Sequence, residues 1–243
     1  MKALVFLTTL LFCACAASFA QVQEDTTMND DKIHVELLPY LVIPGMSGEV
    51  TVKGLSSESI NTSGSGTFSH LQFGFMARTG ISYNRWFAGT DTVYMGLGGS
   101  NDAVNAGFDQ WIAELSGGYR VHPRIALLGG VRYTSLSADL KLKGPLQTHF
   151  RSSQVWWDPF IGGVGNVPIG KKFNVSARLD VGGFGAGSRI SVNAEPALNW
   201  LFTKRLTGMV GWKFFYQDYV NSADKFEYDV LTQGPLLGLA IHW

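Results

Sequence analysis

Apolar and polar residues alternate with a period of two over most of this chain. Phe173, Val175, Ala177, Leu179 and Val181 are separated by Asn174, Ser176, Arg178 and Asp180. Ile190, Val192, Ala194, Pro196, Leu198, Trp200 and Phe202 alternate with Arg189, Ser191, Asn193, Glu195 and Asn199. Leu206, Val210, Trp212, Phe214 and Tyr216 oppose Thr207, Lys213 and Phe215, and Leu71, Phe73, Phe75, Ala77 and Ile81 oppose Gln72 and Arg78. A strand sends successive side chains to opposite faces, so each pattern reads as a two-faced strand. The periodicity predicts ten long strands, roughly 33–43, 70–81, 84–97, 107–120, 123–137, 154–166, 172–184, 188–202, 205–220 and 227–243.

The connectors alternate in character. Tyr83-Asn84, Val121-His122-Pro123, Val167-Pro-Ile-Gly170 and Thr203-Lys204 are short, whereas 98–106 and 138–153 read as longer, polar loops. Segment 44–69 breaks the pattern. Gly48 to Gly54 alternates like an eleventh strand, but an odd count would put the two ends of a closed sheet on opposite sides. It therefore reads as a hairpin or an inward-folded segment, and 56–66 is rich in Ser and Gly. Gly182-Gly-Phe-Gly-Ala-Gly187 joins two strands. A phosphate-cradling loop would lead into a helix, so this run reads as a tight hairpin.

The polar faces decide the class. In a soluble sandwich they would carry Lys and Glu freely. Here they hold small residues, amides and isolated charges, as the inside of a narrow barrel requires. The expected fold is an all-β, transmembrane, antiparallel up-and-down barrel of about ten strands over 32–243. Outward-facing Trp86, Tyr119, Phe173, Trp200, Phe202 and Trp243 fall at one end of their strands. Tyr94, Trp111, Tyr133, Trp157, Phe214 and Tyr216 fall toward the other. Two aromatic belts match the two interfaces of a bilayer. Trp86, Trp111, Trp157, Trp200 and Trp243 are the expected membrane anchors.

The chain ends fit this reading. Met1-Lys2, an apolar run from Ala3 to Ala16, and Ser18-Phe19-Ala20 make a secretory signal peptide over 1–20, with 21–31 as a short periplasmic segment. Cys13 and Cys15 both fall inside it, and Phe12 and Cys13 spoil the lipoprotein pattern before Cys15, so the mature chain offers no thiol chemistry. At the other end Leu237, Leu239, Ile241 and Trp243 share one face of a final strand that closes on an aromatic. Such a strand looks like the one by which outer-membrane barrels are handed to their assembly machinery. Lys+Arg and Asp+Glu balance at 19 each, which implies no nucleic-acid partner. Expected partners are outer-membrane lipid and the barrel-assembly machinery, with a monomeric chain.

Several stretches are similar to a largely uncharacterised family of bacterial outer-membrane β-barrel proteins. These are Asp158-Pro-Phe-Ile-Gly162, Arg178-Leu-Asp-Val-Gly-Gly-Phe-Gly185 with Gly187-Ser188, Gly234-Pro-Leu-Leu-Gly238, and Leu71-Gln-Phe-Gly-Phe-Met76. The resemblance implies the fold and the outer-membrane location. It implies no reaction.

Parity places Glu36, Asp91, Glu114, Asp158, Asp180 and Glu195 in the lumen with Arg78, Arg132, Arg178 and Lys213. Charges removed from water need partners, so the favoured reading is a salt-bridge network that plugs the lumen and a structural or interaction role. A low-conductance, porin-like channel is the alternative, and a hydrolase with a loop-borne site the second. The hydrolase would need a histidine near acids, and only His149 lies in a long loop within reach of Asp102, Asp109, Asp218 or Asp224. His34 and His70 flank the irregular segment. His122 and His242 read as structural. No metal-ligand spacing and no cofactor motif is present. Gly117-Gly118, Gly129-Gly130 and Gly162-Gly163 read as places where strands bend or where side chains across the lumen need room.

Overall fold

The computed structural model describes residues 31–51, 58–63, 65, 71–100, 104–142 and 149–243. The expected signal peptide, Cys13, Cys15, His70 and Asp102 lie outside these residues. The described strands are β1 (Ile33–Val42), β2 (Gly45–Thr51), β3 (Glu58–Thr62), β4 (Leu71–Tyr83), β5 (Trp86–Ser100), β6 (Val104–His122), β7 (Ile125–Leu142), β8 (His149–Ile169), β9 (Phe173–Gly182), β10 (Ile190–Thr203), β11 (Leu206–Asn221) and β12 (Phe226–His242). β4 to β12 pair in chain order, each antiparallel to the next, and β1 closes the ring by pairing with both β4 and β12. Ten strands thus enclose the lumen, with β2 and β3 added at one edge.

Register explains segment 44–69. Val42 pairs with Leu236, and Gly45 with Gln233. The step is three residues on both strands, so β1 and β2 are one line along β12, interrupted only at Ile43-Pro44. Pro44 has no N–H to give to a ladder. β3 then folds back antiparallel on β2, from Met46↔Thr62 to Val50↔Glu58. The hairpin expectation is met, and the ring stays even-numbered because β2 continues a strand rather than adding one to the count.

The strands are longer than the alternation predicts. β6, β7 and β8 run for 19, 18 and 21 residues. With β5 they take up 98–100, 104–106, 138–142 and 149–153 of the expected loops, and 101–103 and 143–148 lie outside the described residues. The reason is a reversal of polarity without a reversal of pleat. On β7, Val131 and Tyr133 point outward and Arg132 and Thr134 inward. Further along, Ser135, Ser137 and Asp139 keep the outward parity while Leu136 is buried inside. The same switch brings Met46, Met95, Trp156, Tyr219, Phe226, Tyr228 and Val230 together with Leu136 as an apolar core inside one end of the barrel. That tall end is therefore built like a soluble protein, apolar inside and polar outside. The rest is inverted, with Leu115, Leu127, Ile161, Leu179, Val210 and Leu237 exposed on the outer face.

The aromatic belts mark the boundaries. Toward the tall end, Trp111, Tyr133 and Trp157 on β6–β8 stack edge-on with centroids 5.5 and 5.0 Å apart. At the short-turn end, Trp86 meets Tyr119 at 4.8 Å, and Trp200 packs between Phe173 and Phe202. From Trp111 to Tyr119 is about 27 Å along β6 at ~3.4 Å per residue, which the tilt of such strands reduces to about 20 Å of height. Trp212, exposed beside Phe214, joins the tall-end belt.

The two outer surfaces should respond differently to charge. Leu179→Arg, between the belts, should cost about 2–4 kcal/mol in a bilayer. Ser137→Arg, above the tall-end belt, should be close to neutral. Urea unfolding in lipid vesicles measures both, and equal costs would contradict the assigned boundary.

Candidate functional site: the lumen charge network

The ten expected lumen residues divide into three groups. Eight of them form one connected cluster. Arg78 donates from Nη2 to Asp91 at 2.6 Å and to Glu195 at 2.9 Å. Lys213 donates to the other oxygen of Glu195. Arg178 donates to Glu114 at 2.7 Å and to Asp180 at 2.9 Å, and lies 3.8 Å from Asp91. Arg132 donates from Nε to Glu114 at 2.7 Å and from Nη2 to Asp180 at 2.6 Å. Four cations face four carboxylates, so the cluster is neutral. Charge-assisted bonds of this length are the strong class of hydrogen bond.

Register builds it. Arg78↔Asp91, Asp91↔Glu114 and Glu114↔Arg132 are direct cross-strand partners on β4, β5, β6 and β7. The row is closed from the far wall by Arg178 and Asp180 on β9, Glu195 on β10 and Lys213 on β11. Arg132, fully buried, is the centre. Its third nitrogen donates to Ser191 at 3.1 Å, and its guanidinium lies between the rings of Phe160 and Phe215 at 4.8 and 4.9 Å. Aromatic faces stabilise a cation without competing for its hydrogen bonds. Asn193 completes Asp180 at 3.0 Å, and Tyr40 donates to Asp91 at 2.7 Å. Tyr40, Phe160, Ser191 and Asn193 were not among the expected network residues. Their inward parity was readable, but their partners lie across the lumen.

Asp158 stands apart. It is the register partner of Arg132, yet that guanidinium turns toward Glu114 and Asp180. β9 ends at Gly182, opposite Phe160, so the β9–β10 turn takes the position facing Asp158. There the Ser188 backbone N–H and hydroxyl donate to the carboxylate at 2.7 and 2.8 Å, and the Trp156 indole donates at 3.2 Å. Asp158 fastens a turn. Glu36 is also separate. It sits at the short-turn end, half-exposed, 3.3 Å from His242.

Room for the cluster comes from inward glycines. A Cβ on Gly162 would lie 2.5 Å from Asp180 Cβ and 2.2 Å from the Leu179 carbonyl, and one on Gly130 would lie 2.9 Å from the Phe160 ring. Above the short β9–β10 hairpin, β8 and β11 meet directly. Trp156 stacks on Tyr219 at 4.0 Å, and Gln154 accepts from Asn221 and donates to Asp224.

The expected anchors Trp86, Trp111, Trp157, Trp200 and Trp243 all face outward and are exposed. Among the described residues, no group of three or more His, Cys, Asp or Glu side chains is arranged to hold a metal. His122 accepts from the Arg124 amide within a turn, and His242 bonds Thr207.

The chain matches no protein-family model and no curated protein. It is similar to the outer membrane protease OmpT of Escherichia coli at 9% identity and a TM-score of 0.51, over 90% of this chain and 99% of that one. Ail, the attachment invasion locus protein of Yersinia pestis, is 9% identical at a TM-score of 0.42, over 87% of this chain and 98% of that one. Neisserial surface protein A is 12% identical at 0.35, over 86% and 96%. The likeness to OmpT shows the fold of an outer-membrane barrel.

Removing one partner of a buried pair leaves a charge uncompensated. Arg132→Met should therefore destabilise the barrel by about 3–5 kcal/mol, and adding Asp180→Asn should recover part of the loss. Equilibrium unfolding of both variants in detergent tests this. A near-neutral single variant would mean that the centre is hydrated.

Proposed function

We propose that this protein spans the bacterial outer membrane as a closed barrel with a structural or surface-interaction role, its lumen plugged by the charge network. The supporting observation is that Arg132 and Asp180, both buried, are ion-paired across the lumen at the level where a pore would need water. The apolar outer band between two aromatic belts suits a bilayer. The short-turn end, where β1 begins and β12 ends, faces the periplasm in this reading, and the tall end faces outward. There the strands hold a polar outer surface over their own apolar core, a rigid platform clear of the membrane. The barrel is monomeric, and its final strand, ending at exposed Trp243, is the part offered to the assembly machinery.

In planar bilayers the purified protein should show no stepwise conductance. Stable ohmic steps would overturn the plug and favour the low-conductance channel. Deleting Trp243 should lower the amount of heat-modifiable, folded protein in the outer membrane; unchanged amounts would count against its role in assembly.

A further inference from the structure

The short-turn end repeats one pattern. Each strand that climbs from it is preceded by a cation and opens on an apolar residue: Lys32-Ile33 at β1, Arg85-Trp86 at β5, Arg124-Ile125 at β7, Lys172-Phe173 at β9 and Arg205-Leu206 at β11. Arg120, Lys171 and Lys204 add a second cation to three of the four turns. No Asp or Glu occurs within 83–86, 119–125, 166–173 or 202–206. The outer face toward the tall end carries acids instead. There Asp229 directly opposes both Asp218 and Glu49, and Arg189 lies between Asp218 and Glu227. The balanced charge of the chain is thus spread unevenly along the barrel axis.

Backbone bonds at the ladder ends hold these cations in place. The Arg85 carbonyl accepts from the Arg120 N–H at 2.8 Å, that of Arg124 from Asn166 at 2.9 Å, that of Lys172 from Leu201 at 2.7 Å and that of Arg205 from His242 at 3.0 Å. Each cation is therefore tied to the neighbouring strand at the last rung. Successive ones lie two strands apart, about 10 Å at ~4.8 Å per strand. With Lys32 they complete a ring around the edge of the barrel. Lys32, Arg124, Lys172 and Arg205 are exposed, and Arg85 is half-buried. The apolar residues that follow, Ile33, Trp86, Ile125 and Phe173, are exposed on the outer face. Trp86 and Phe173 belong to the short-turn aromatic belt, so the cations stand one residue, about 3.4 Å, beyond it. An aromatic belt sits at headgroup level. Lys and Arg stems cover apolar surface there while the charged heads stay in the polar layer.

We propose that this ring selects anionic phospholipids, of the phosphatidylglycerol class, in the inner leaflet of the outer membrane. The inference rests on the orientation proposed above, in which the short-turn end meets that leaflet. Each headgroup phosphate accepts from a rim guanidinium or ammonium. Its acyl chains lie against the apolar residue next to that cation. Cations near an anionic surface add their attractions, which fade within a Debye length, so only those at the rim count. Their placement around the circumference, beside the belt, fits lipid. A polymer lying beneath the barrel would be met by cations on its underside.

The test places the full barrel in phosphatidylcholine bilayers with a trace of spin-labelled phosphatidylglycerol or spin-labelled phosphatidylcholine. Electron spin resonance reads the motionally restricted fraction, which is the lipid held at the protein. Phosphatidylglycerol is expected to be held about fivefold more strongly at each cation-bound headgroup. Salt at about 1 M should remove the preference. The combined variant Arg85→Gln, Arg124→Gln, Lys172→Gln, Arg205→Gln should lose it, and the variant with Lys at the three Arg positions should keep it. Arg189→Gln with Lys225→Gln, at the tall end, should leave it unchanged. Heat-modifiable migration on gels checks that each variant is folded. Equal restriction of the two lipids, or a preference that survives in the four-Gln variant, would overturn the proposal. So would binding of purified peptidoglycan that needs the four cations while the lipids are held equally. Orientation is read separately, because Lys171→Cys should resist a membrane-impermeant maleimide in intact cells. Labelling there would overturn the orientation and the leaflet together, whereas loss of the lipid preference alone would leave the orientation standing.

Discussion

A charge inside a tube surrounded by lipid has nowhere to find a partner except across the tube. That constraint organises this protein. Arg78 on β4 reaches Glu195 on β10, and Arg132 on β7 reaches Asp180 on β9. Such reaches are possible because a ring of ten strands is narrow enough for opposite walls to touch. They are also required, because an ionised group held away from water without a partner is strongly destabilising. The inward glycines, the sandwich of Phe160 and Phe215 around Arg132, and Tyr40 on Asp91 all serve the same end. They fit large charged side chains into a small cross-section with their hydrogen bonds made.

The same physics sets the height of the membrane band. Where lipid surrounds the barrel, the outer face is apolar and the lumen polar. Where it does not, the order returns to that of a soluble protein. The strands cross this boundary without a break in pleat, so β7 carries Tyr133 outward below it and Leu136 inward above it. The Trp111–Tyr133–Trp157 row stands at the change. Two polarity regimes on one continuous sheet account for strands of up to 21 residues, well beyond what a bilayer needs.

Much of this was legible in the sequence because parity is a local property. Which residues face inward on 173–181 or 189–202 follows from alternation alone, and so does the sorting of Trp86, Trp111, Trp157, Trp200 and Trp243 to the outer face. Pairing is not local. Asp158 and Arg132 share an inward parity and a register, but the early end of β9 hands Asp158 to Ser188. Glu36 shares the same parity but lies too far toward the short-turn end to reach the cluster. Only the tall-end segments 98–106 and 138–153 read as loops in the sequence, because there the polar residues hold the outward parity, and phase, unlike period, depends on what lies outside the strand. Within segment 44–69 the hairpin is legible, but that its first strand continues β1 along β12 across Ile43-Pro44 shows only in the register.

The central claim is that the lumen is closed and dry around Arg132. Side-chain proton exchange measures this directly. With arginine Nε–H resonances assigned in detergent micelles, the Arg132 signal should persist after transfer to D2O while that of Arg189, which is 59% exposed, disappears at once. Loss of both signals at the same rate would mean that water reaches the centre of the barrel, and the plug would have to be given up.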